Sequence, residues 1–183
     1  KEVFNILSDK KTKGIIVRIN PGENEGVTNS LWQDMLKKIS DNGKNIMPNP
    51  QVMKIMGSKE SLVKISNLNG GRTDTILYKN INDWNKNFIT NLKNKIVIKQ
   101  NRGSTGQGIW VVEAKDTKVL DDDTKLYLQE ASDNHHEEKN IKEFKKFCER
   151  YFNNNGLIVQ QKFFKGIHKG EIRYNMIFDE IVA

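Results

Sequence analysis

Apolar positions recur at two different spacings along the chain, and together they predict a mixed fold. Around residues 31–39, 84–92 and 139–152 the apolar side chains are three or four positions apart, which is typical of helices with one buried face. Short apolar runs bounded by glycine, proline, asparagine or lysine predict strands instead. These runs cover residues 14–20, 74–78, 96–98, 109–112, 126–129, 157–161 and 171–178.

The order of these elements predicts two regions with different architectures. Strands and helices alternate through residues 1–80, which favours a small α/β region. From residue 81 onward the pattern predicts an antiparallel sheet with packed helices, an α+β arrangement. We therefore expect a first domain at 1–80 and a second at 81–183. The polar residues around His135 and His136 are interpreted as a solvated loop, and no metal site is predicted there.

Composition and charge restrict the classes of partner. The 183 residues carry a formal net charge of +7, which favours anionic ligands. No RNA-binding aromatic signature and no zinc spacing is visible, so nucleic acid is not the expected partner. No stretch is long and apolar enough to span a membrane, and no signal peptide is visible. Cys148 is the one cysteine; it is interpreted as a packed core thiol, and its lack of a pairing cysteine favours a reducing, cytoplasmic environment.

The segment from Lys95 to Lys115, KIVIKQNRGSTGQGIWVVEAK, carries the strongest chemical signal. It predicts a buried strand that ends in Lys99, a glycine-rich loop, and a second buried strand. Backbone N–H groups and short hydroxyls in such a loop can hold phosphate oxygens, and Lys99 is placed to meet a negative charge. Because the glycines are spaced G-x-x-G-x-G and lead into a strand, neither a P-loop nor a dinucleotide fingerprint fits. The alternative is a flexible hairpin tip without a ligand.

A second informative segment, LIVQQKFFKGIHKGEIR, covers residues 157–173. A strand ends in a polar pair, continues through two phenylalanines, and loops past Gly170 to an acid and an arginine. With Lys99 and the glycine-rich loop, this order resembles the ATP-grasp superfamily, and its glutathione synthetase-like members in particular. Together with VRINPGEN, IMGSKESL and DTILY, it makes the whole chain resemble a bacterial ATP-grasp-like branch with no established substrate. The second domain then corresponds to a partial ATP-grasp nucleotide-binding domain.

The resemblance implies a role for each of these residues in binding or using ATP. Lys59 and Lys99 match two lysines that hold the nucleotide phosphates, and Glu171 matches the acid that binds the ribose. Arg173 matches a catalytic arginine that stabilises the transferring phosphate or an acyl phosphate. The flexible loop over the phosphates is matched by Arg102, Gly103, Ser104, Thr105, Gly106, Gln107, Gly108 and Ile109. The adenine hinge is matched by Gln161, Lys162, Phe163 and Phe164, in which Lys162 and Phe164 contribute backbone groups and apolar walls.

Each of these residues also has a plain structural interpretation, which stays open for each residue taken by itself. Lys59 is equally consistent with a helix-surface lysine, and the two phenylalanines are consistent with the core. Glu171 and Arg173 are consistent with a surface pair on a strand. The occurrence of all parts in the same order favours the nucleotide site over these separate interpretations.

The resemblance implies an ATP-dependent carboxylate–amine or carboxylate–thiol ligase that acts through an acyl phosphate. Its implied partners are ATP, ADP, an unidentified carboxylate and an unidentified nucleophile. Mg²⁺ is also implied, but its ligands are expected on strands beyond Ala183, since Asp179 and Glu180 are interpreted as hairpin-turn residues. A fragment, a truncated product and a degenerate binder all stay open. The alternative function is a non-catalytic module that binds a nucleotide or another polyanion such as RNA.

Overall fold

The computed structural model describes residues 2–19, 27–115, 119–172, 174–177 and 180–182. In chain order the elements are α1 (Glu2–Ser8), β1 (Gly14–Ile16), α2 (Val27–Asp41), β2 (Asn45–Met47), α3 (Pro50–Met56), α4 (Ser61–Lys64), β3 (Ile76–Tyr78), α5 (Ile81–Asn91), β4 (Ile96–Gln100), β5 (Ile109–Ala114), β6 (Lys125–Glu130), β7 (His136–Asn140), α6 (Ile141–Cys148), a 3₁₀ helix (Glu149–Asn155), β8 (Ile158–Lys162), a second 3₁₀ helix (Lys165–Lys169), β9 (Met176–Ile177) and β10 (Glu180–Ile181). Within this part of the chain, every helix is too short or too polar to cross a bilayer.

The N-terminal region contains a β–α–β unit. Strands β1 and β2 are parallel, with Ile15 opposite Ile46, and α2 connects them. On α2 the apolar residues Leu36 and Ile39 are buried, as helical spacing requires of a face turned inward. Gly43 follows the helix with a φ of 85°, a left-handed conformation that glycine adopts without steric cost and that commonly ends helices. The predicted α/β arrangement is therefore present in this region.

The larger sheet has the strand order β3–β8–β4–β5–β6–β7. Every neighbouring pair in it is antiparallel. The glycine-rich segment connects β4 to β5, which pair with Lys99 opposite Ile109. The predicted α+β class, with an antiparallel sheet and packed helices, is therefore confirmed.

One face of the larger sheet and two helices enclose a continuous apolar core. Along β4 the buried Ile96 and Ile98 alternate with half-buried residues, so one side of the strand points into the core. Trp84 of α5 and Phe144 of α6 are fully buried, with ring centroids 6.3 Å apart. Cys148 is also fully buried, as predicted, and burial raises the pKa of its thiol. The other buried members are Tyr78, Phe88, Leu92, Trp110, Val112, Ala114, Leu126, Leu128, Ile141 and Ile158.

Asparagine side chains begin three of the helices. The side-chain oxygen of Asn49 accepts a hydrogen bond from the N–H of Gln51 at 2.9 Å, and Asn80 caps α5 in a similar way. At α6 the cap is reciprocal. Asn140 Oδ1 accepts from the N–H of Glu143 at 2.8 Å, and the Glu143 carboxylate accepts from the N–H of Asn140 at 2.9 Å. These bonds satisfy N–H groups that the first turn of a helix leaves without a partner.

The structure corrects the loop prediction around His135 and His136. His135 precedes a strand, but His136 is the first residue of β7, so the loop prediction is wrong for His136. The strand has the sequence HEEKN, without apolar alternation, because it is the edge of the sheet and makes little contact with the core. Backbone pairing with β6, in which Gln129 lies opposite His136, holds it in place. The sequence of such a strand shows no alternation of apolar and polar residues, so the strand cannot be predicted from hydrophobic periodicity.

The predicted strand at 171–178 is shorter in the structure. Among the described residues of that stretch, Met176 and Ile177 form β9, which pairs antiparallel with β10. Glu180 is therefore a strand residue rather than the turn residue that the sequence predicted. Asp179 lies outside the described residues.

Replacing Asn140 with alanine should destabilise the fold, because the N–H of Glu143 loses its partner at the start of α6. We expect Asn140→Ala to lower the free energy of unfolding by about 1 kcal/mol, measured by urea denaturation followed by circular dichroism. Asn140→Asp retains an acceptor oxygen and is the matched control, for which a much smaller loss is expected. Equal losses in the two variants would show that the cap does not stabilise the helix.

Candidate functional site

Two neighbouring strands in the middle of the larger sheet place Lys99 and Gln161 on the same face. Strand β4 pairs with β8 so that Val97 lies opposite Gln161, and Lys99 follows two positions along, opposite Val159. Since side chains alternate along a strand, all four lie on the face away from the apolar core. The ammonium of Lys99 donates a hydrogen bond to Oε1 of Gln161 at 2.8 Å. The strand lysine and the first residue of the predicted hinge are therefore in direct contact.

Lys59 reaches the same place from the segment between α3 and α4. Its backbone N–H donates to the carbonyl oxygen of Asn101 at 2.9 Å, and the N–H of Glu60 donates to the Asn101 side chain at 2.8 Å. These bonds dock the segment on the chain just after β4. The ammonium of Lys59 then donates to the carbonyl oxygen of Gly103 at 3.1 Å. The structure thus brings Lys59 and Lys99 together where the glycine-rich loop begins, close enough for their charges to interact.

Both lysines are half-buried, and neither forms an ion pair within the part of the chain that the structure describes. Burial lowers the pKa of Lys59, and the charge of Lys99 lowers it further. Burial also lowers the pKa of Lys99; the charge of Arg72 acts in the same direction, whereas that of Asp74 opposes it. Half-buried cations with lowered pKa values are typical of sites that bind anions.

The glycine-rich loop is built from two consecutive tight turns. The N–H of Gln107 donates to the carbonyl oxygen of Ser104 at 3.1 Å, and the N–H of Ile109 donates to that of Gly106 at 3.2 Å. Within the first turn Thr105 and Gly106 have φ values of 54° and 84°, as in a type I′ turn. Glycine accepts such a conformation readily, but a β-branched residue such as Thr105 is strained by it. Two turn hydrogen bonds therefore define the conformation of the loop.

Part of the loop backbone is left available to a ligand. The N–H of Gly108 donates to Oε1 of Glu130 at 2.8 Å, and the N–H groups of Gln107 and Ile109 close the two turns. In the described part of the chain, the loop N–H groups without a hydrogen-bond partner are those of Gly103, Thr105 and Gly106. These three groups can meet anionic oxygens without any rearrangement of the turns.

The hinge is held by an ion pair that sequence reasoning missed. Arg72 and Asp74 form this pair at 2.6 Å, and it lowers the pKa of the Asp74 carboxyl. The N–H of Lys162 donates to Asp74 at 2.9 Å, and the carbonyl oxygen of Lys162 accepts from Arg72 at 2.9 Å. Both backbone groups of Lys162 are therefore engaged. The N–H of Phe164, in contrast, has no partner among the described residues.

The other hinge residues differ in exposure. Gln161 is 5% exposed, and its amide is used at both ends, since Nε2 donates to Oγ1 of Thr75 at 2.8 Å while Oε1 accepts from Lys99. Phe163 is half-buried. Phe164 is 62% exposed, so its interpretation as a plain core residue is wrong. The exposed ring is available as an apolar surface beside the hinge.

The functional roles of all the predicted site residues stay predictions, including those of Glu171, Arg102 and Arg173. Glu171 lies in an exposed segment after the second 3₁₀ helix, directly following Gly170, whose φ is 101°. Arg102 is half-buried at the start of the glycine-rich loop. Arg173 lies outside the described residues.

The described residues do not provide a magnesium site on the face that carries the lysines. Three possible metal ligands cluster elsewhere among them, at Glu130, Asp133 and His135. Glu130 lies opposite Trp110, and therefore on the core side of the sheet, where its carboxylate already holds the N–H of Gly108. Mg²⁺ prefers an octahedral set of oxygen ligands, which a cluster containing histidine does not match. The residues in place here thus do not fit the metal.

Residues 49–166, more than half of the chain, match the family described as YheC/D like ATP-grasp. The chain belongs to this ATP-grasp family. The resemblance to the ATP-grasp superfamily is thereby confirmed, whereas the glutathione synthetase-like subgroup stays a prediction. Lys59, Lys99, the glycine-rich loop and the hinge as far as Phe164 lie within the matched residues of this ATP-grasp chain, and Glu171 lies after them.

The ATP-grasp chain also shows a weak likeness to a solved structure. This is the crystal structure of the D-cycloserine synthetase DcsG, with 8% sequence identity and a TM-score of 0.47. The alignment covers 82% of this chain and 47% of that one, so the chain spans about half the length of that protein. No protein of curated function matches the chain.

Sequence reasoning missed Arg72, Asp74 and Thr75 because their partners lie far along the chain. Asp74 and Lys162, for example, are 88 positions apart. The local signal was limited to a group of charged and hydroxyl residues, RTDT, directly before β3. Such residues are also common in solvated loops, so the pattern alone does not assign them to a site.

Removing the charge of Lys99 should move the pKa of Lys59 towards the ordinary lysine value of about 10.4 without reaching it, because burial remains. We expect this upward shift in Lys99→Met, measured by ¹³C NMR titration of the lysine side chains. Lys142→Met, which removes an exposed charge on α6, is the matched control and should leave the Lys59 pKa unchanged. An unchanged pKa in Lys99→Met would mean that the two ammonium groups do not interact.

Proposed function

We propose that the chain binds ATP on the lysine-bearing face of the larger sheet and belongs to an ATP-dependent ligase that joins a carboxylate to an amine or a thiol, whose magnesium ligands are not among the described residues. The observation that carries this proposal is the meeting of Lys59 and Lys99 beside the glycine-rich loop. Two half-buried cations without an ion pair in the described part of the chain leave positive charge for a ligand to neutralise. Membership of the ATP-grasp family supports ATP as that ligand.

In the proposed complex the phosphates lie between the two lysines and the loop N–H groups. Lys59 at present donates to a neutral acceptor, the carbonyl oxygen of Gly103. A charged phosphate oxygen is a stronger acceptor for an ammonium, so Lys59 exchanges the carbonyl for the nucleotide. The free N–H groups at Gly103, Thr105 and Gly106 add neutral donors on the loop side.

Adenine and ribose occupy the hinge side of the site. Because Asp74 and Arg72 already use the backbone groups of Lys162, the available backbone donor is the N–H of Phe164. The exposed ring of Phe164 offers an apolar surface for the base. Glu171 is the proposed acceptor for ribose hydroxyls, as a carboxylate suits that role.

The proposed reaction has two steps. An oxygen of the substrate carboxylate attacks the γ-phosphorus of ATP, the bond to ADP breaks, and an acyl phosphate forms. An amine or thiol then attacks the acyl carbon, inorganic phosphate leaves, and the proton of the nucleophile passes to solvent. The two lysines and the proposed catalytic residue Arg173 supply fixed positive charge where negative charge accumulates on the transferring phosphate.

Nucleotide binding tests the first part of the proposal. We expect ATP and ADP to bind wild-type protein, and Lys99→Met to weaken binding by about 10- to 100-fold, the loss expected for a hydrogen bond between charged groups. Isothermal titration calorimetry measures both affinities, and Lys142→Met serves as the control with unchanged affinity. Absence of ATP binding by wild-type protein, or equal affinity in Lys99→Met, would contradict the proposal.

A polyanion-binding module is the competing function, and the net charge of +7 favours it. In that case RNA should bind with an affinity that falls steeply as salt increases, and ATP should compete for the same surface. Binding of ATP that RNA does not displace would argue against a shared polyanion site.

Trapping of the acyl phosphate tests the ligase chemistry, because hydroxylamine converts acyl phosphates to hydroxamates. With ATP, Mg²⁺, hydroxylamine and a panel of small carboxylates, we expect a hydroxamate that requires ATP and forms with a particular carboxylate, with one ADP released per product. Arg173→Met should slow this reaction by about 100-fold, the loss typical of removing a donor to a developing anion. Release of ADP without any hydroxamate would contradict an acyl-phosphate route.

A further inference from the structure

The side chain of Gln100 occupies the space that two glycines of the loop leave free. A Cβ atom placed on Gly108 would lie 2.3 Å from Cδ of Gln100, and one placed on Gly103 would lie 2.5 Å from its Nε2. Nε2 of Gln100 also donates to the carbonyl oxygen of Gln107 at 3.0 Å, and its backbone N–H donates to that of Gly108 at 2.8 Å. The glycine-rich loop therefore wraps around a single side chain.

Glu130 and the residue after it hold the loop from the same side. The Glu130 carboxylate accepts a hydrogen bond from the N–H of Gly108 at 2.8 Å. A Cβ atom placed on Gly106 would lie 2.7 Å from the carbonyl oxygen of Ala131, whose own N–H donates to the carbonyl oxygen of Ile109 at 2.9 Å. Each of the three loop glycines thus lies against a neighbouring group of the protein itself, the Gln100 side chain at Gly103 and Gly108 and the Ala131 backbone at Gly106.

These contacts come from the sheet face opposite to the lysines. Ile98 lies opposite Trp110, and Trp110 lies opposite Glu130, so all three share the core side of the sheet. Gln100 is two positions after Ile98 and lies on that side too, whereas Lys99 points to the other side. Gln100 and Glu130 therefore contact the loop from the core side of the sheet, whereas the lysines approach it from the opposite side.

We propose that Gln100 and Glu130 are positioning residues for the glycine-rich loop, an inference that rests on the proposed binding of ATP. Neither side chain touches the nucleotide in this arrangement. They fix the two turns of the loop, and in this conformation the N–H groups of Gly103, Thr105 and Gly106 have no hydrogen-bond partner among the described residues. A loop that is ordered in advance loses less conformational entropy on binding, so its anchors increase affinity without contacting the ligand.

Local hydrogen exchange and nucleotide affinity test the anchoring role together. In Gln100→Ala and Glu130→Ala we expect faster amide exchange confined to residues 103–108, with exchange elsewhere unchanged. ATP should bind about 2- to 10-fold more weakly in Gln100→Ala and about tenfold more weakly in Glu130→Ala, as expected for the lost hydrogen bonds. Glu130→Gln keeps an oxygen for the N–H of Gly108 and should recover most of the affinity. Glu149→Ala, which breaks an ion pair with Lys146 away from the loop, is the control.

A double-mutant cycle tests the contact between Gln100 and Gly103 directly. Gly103→Ala places a Cβ against the Gln100 amide and also strains the backbone, whose φ is 140°. The strain is common to both backgrounds, so the cycle isolates the contact. We expect Gly103→Ala to weaken ATP binding less in the Gln100→Ala background than in wild-type protein.

The outcomes separate this inference from the proposed function. Wild-type protein that binds no ATP would overturn the proposed function and the role of both anchors with it. Wild-type protein that binds ATP, with unchanged affinity in Gln100→Ala and Glu130→Ala, would overturn the anchoring role alone. Equal loss in Glu130→Ala and Glu130→Gln, or additive effects in the cycle, would likewise count against it.

Discussion

The antiparallel pairing of β4 with β8 is the constraint on which the candidate site depends. One register buries Ile96 and Ile98 on the core side and places Lys99 beside Gln161 on the other. Because side chains alternate, a slip of one residue would exchange the two faces and bury a charge in the core. The hydrophobic pattern that stabilises the sheet therefore also determines on which face the charge of Lys99 lies. The core and the candidate site occupy opposite faces of the same strands.

Much of this arrangement could be predicted from the sequence because it depends on local patterns. Strands β4 and β5 are short apolar runs, and α5 and α6 have helical apolar spacing behind asparagine caps. The order of Lys99, the glycine-rich loop and the hinge was sufficient to indicate the ATP-grasp superfamily, which the family match confirms. Lys59 could be assigned to the site only through the resemblance to the ATP-grasp superfamily, since nothing in its immediate neighbours distinguishes it from a surface lysine.

Other parts could not be predicted, for reasons that are physical. Polar side chains that bond across long separations, such as Asp74 with Lys162, leave no periodic signal. Edge strand β7 is held by its backbone, so its polar sequence resembles a loop. The glycine-rich loop was interpreted as a binder of phosphate oxygens, and the sequence gives no sign that Gly103 and Gly108 also make room for Gln100. A glycine shows that something approaches the backbone closely, but the sequence does not say what.

The ion pair between Arg72 and Asp74 has a consequence for how the protein meets other chains. Strand β3 lies at the edge of the sheet beside β8, and its pairing with β8 stops at Ile76, which lies opposite Gln160. The backbone groups of Lys162, two residues further along β8, therefore have no strand partner on that side. Unpaired groups at a sheet edge are a place where a foreign extended chain can add. Here two side chains occupy both groups, in place of a further strand residue. The hinge can thus remain at the surface, next to a hydrophobic ring, without becoming a starting point for aggregation.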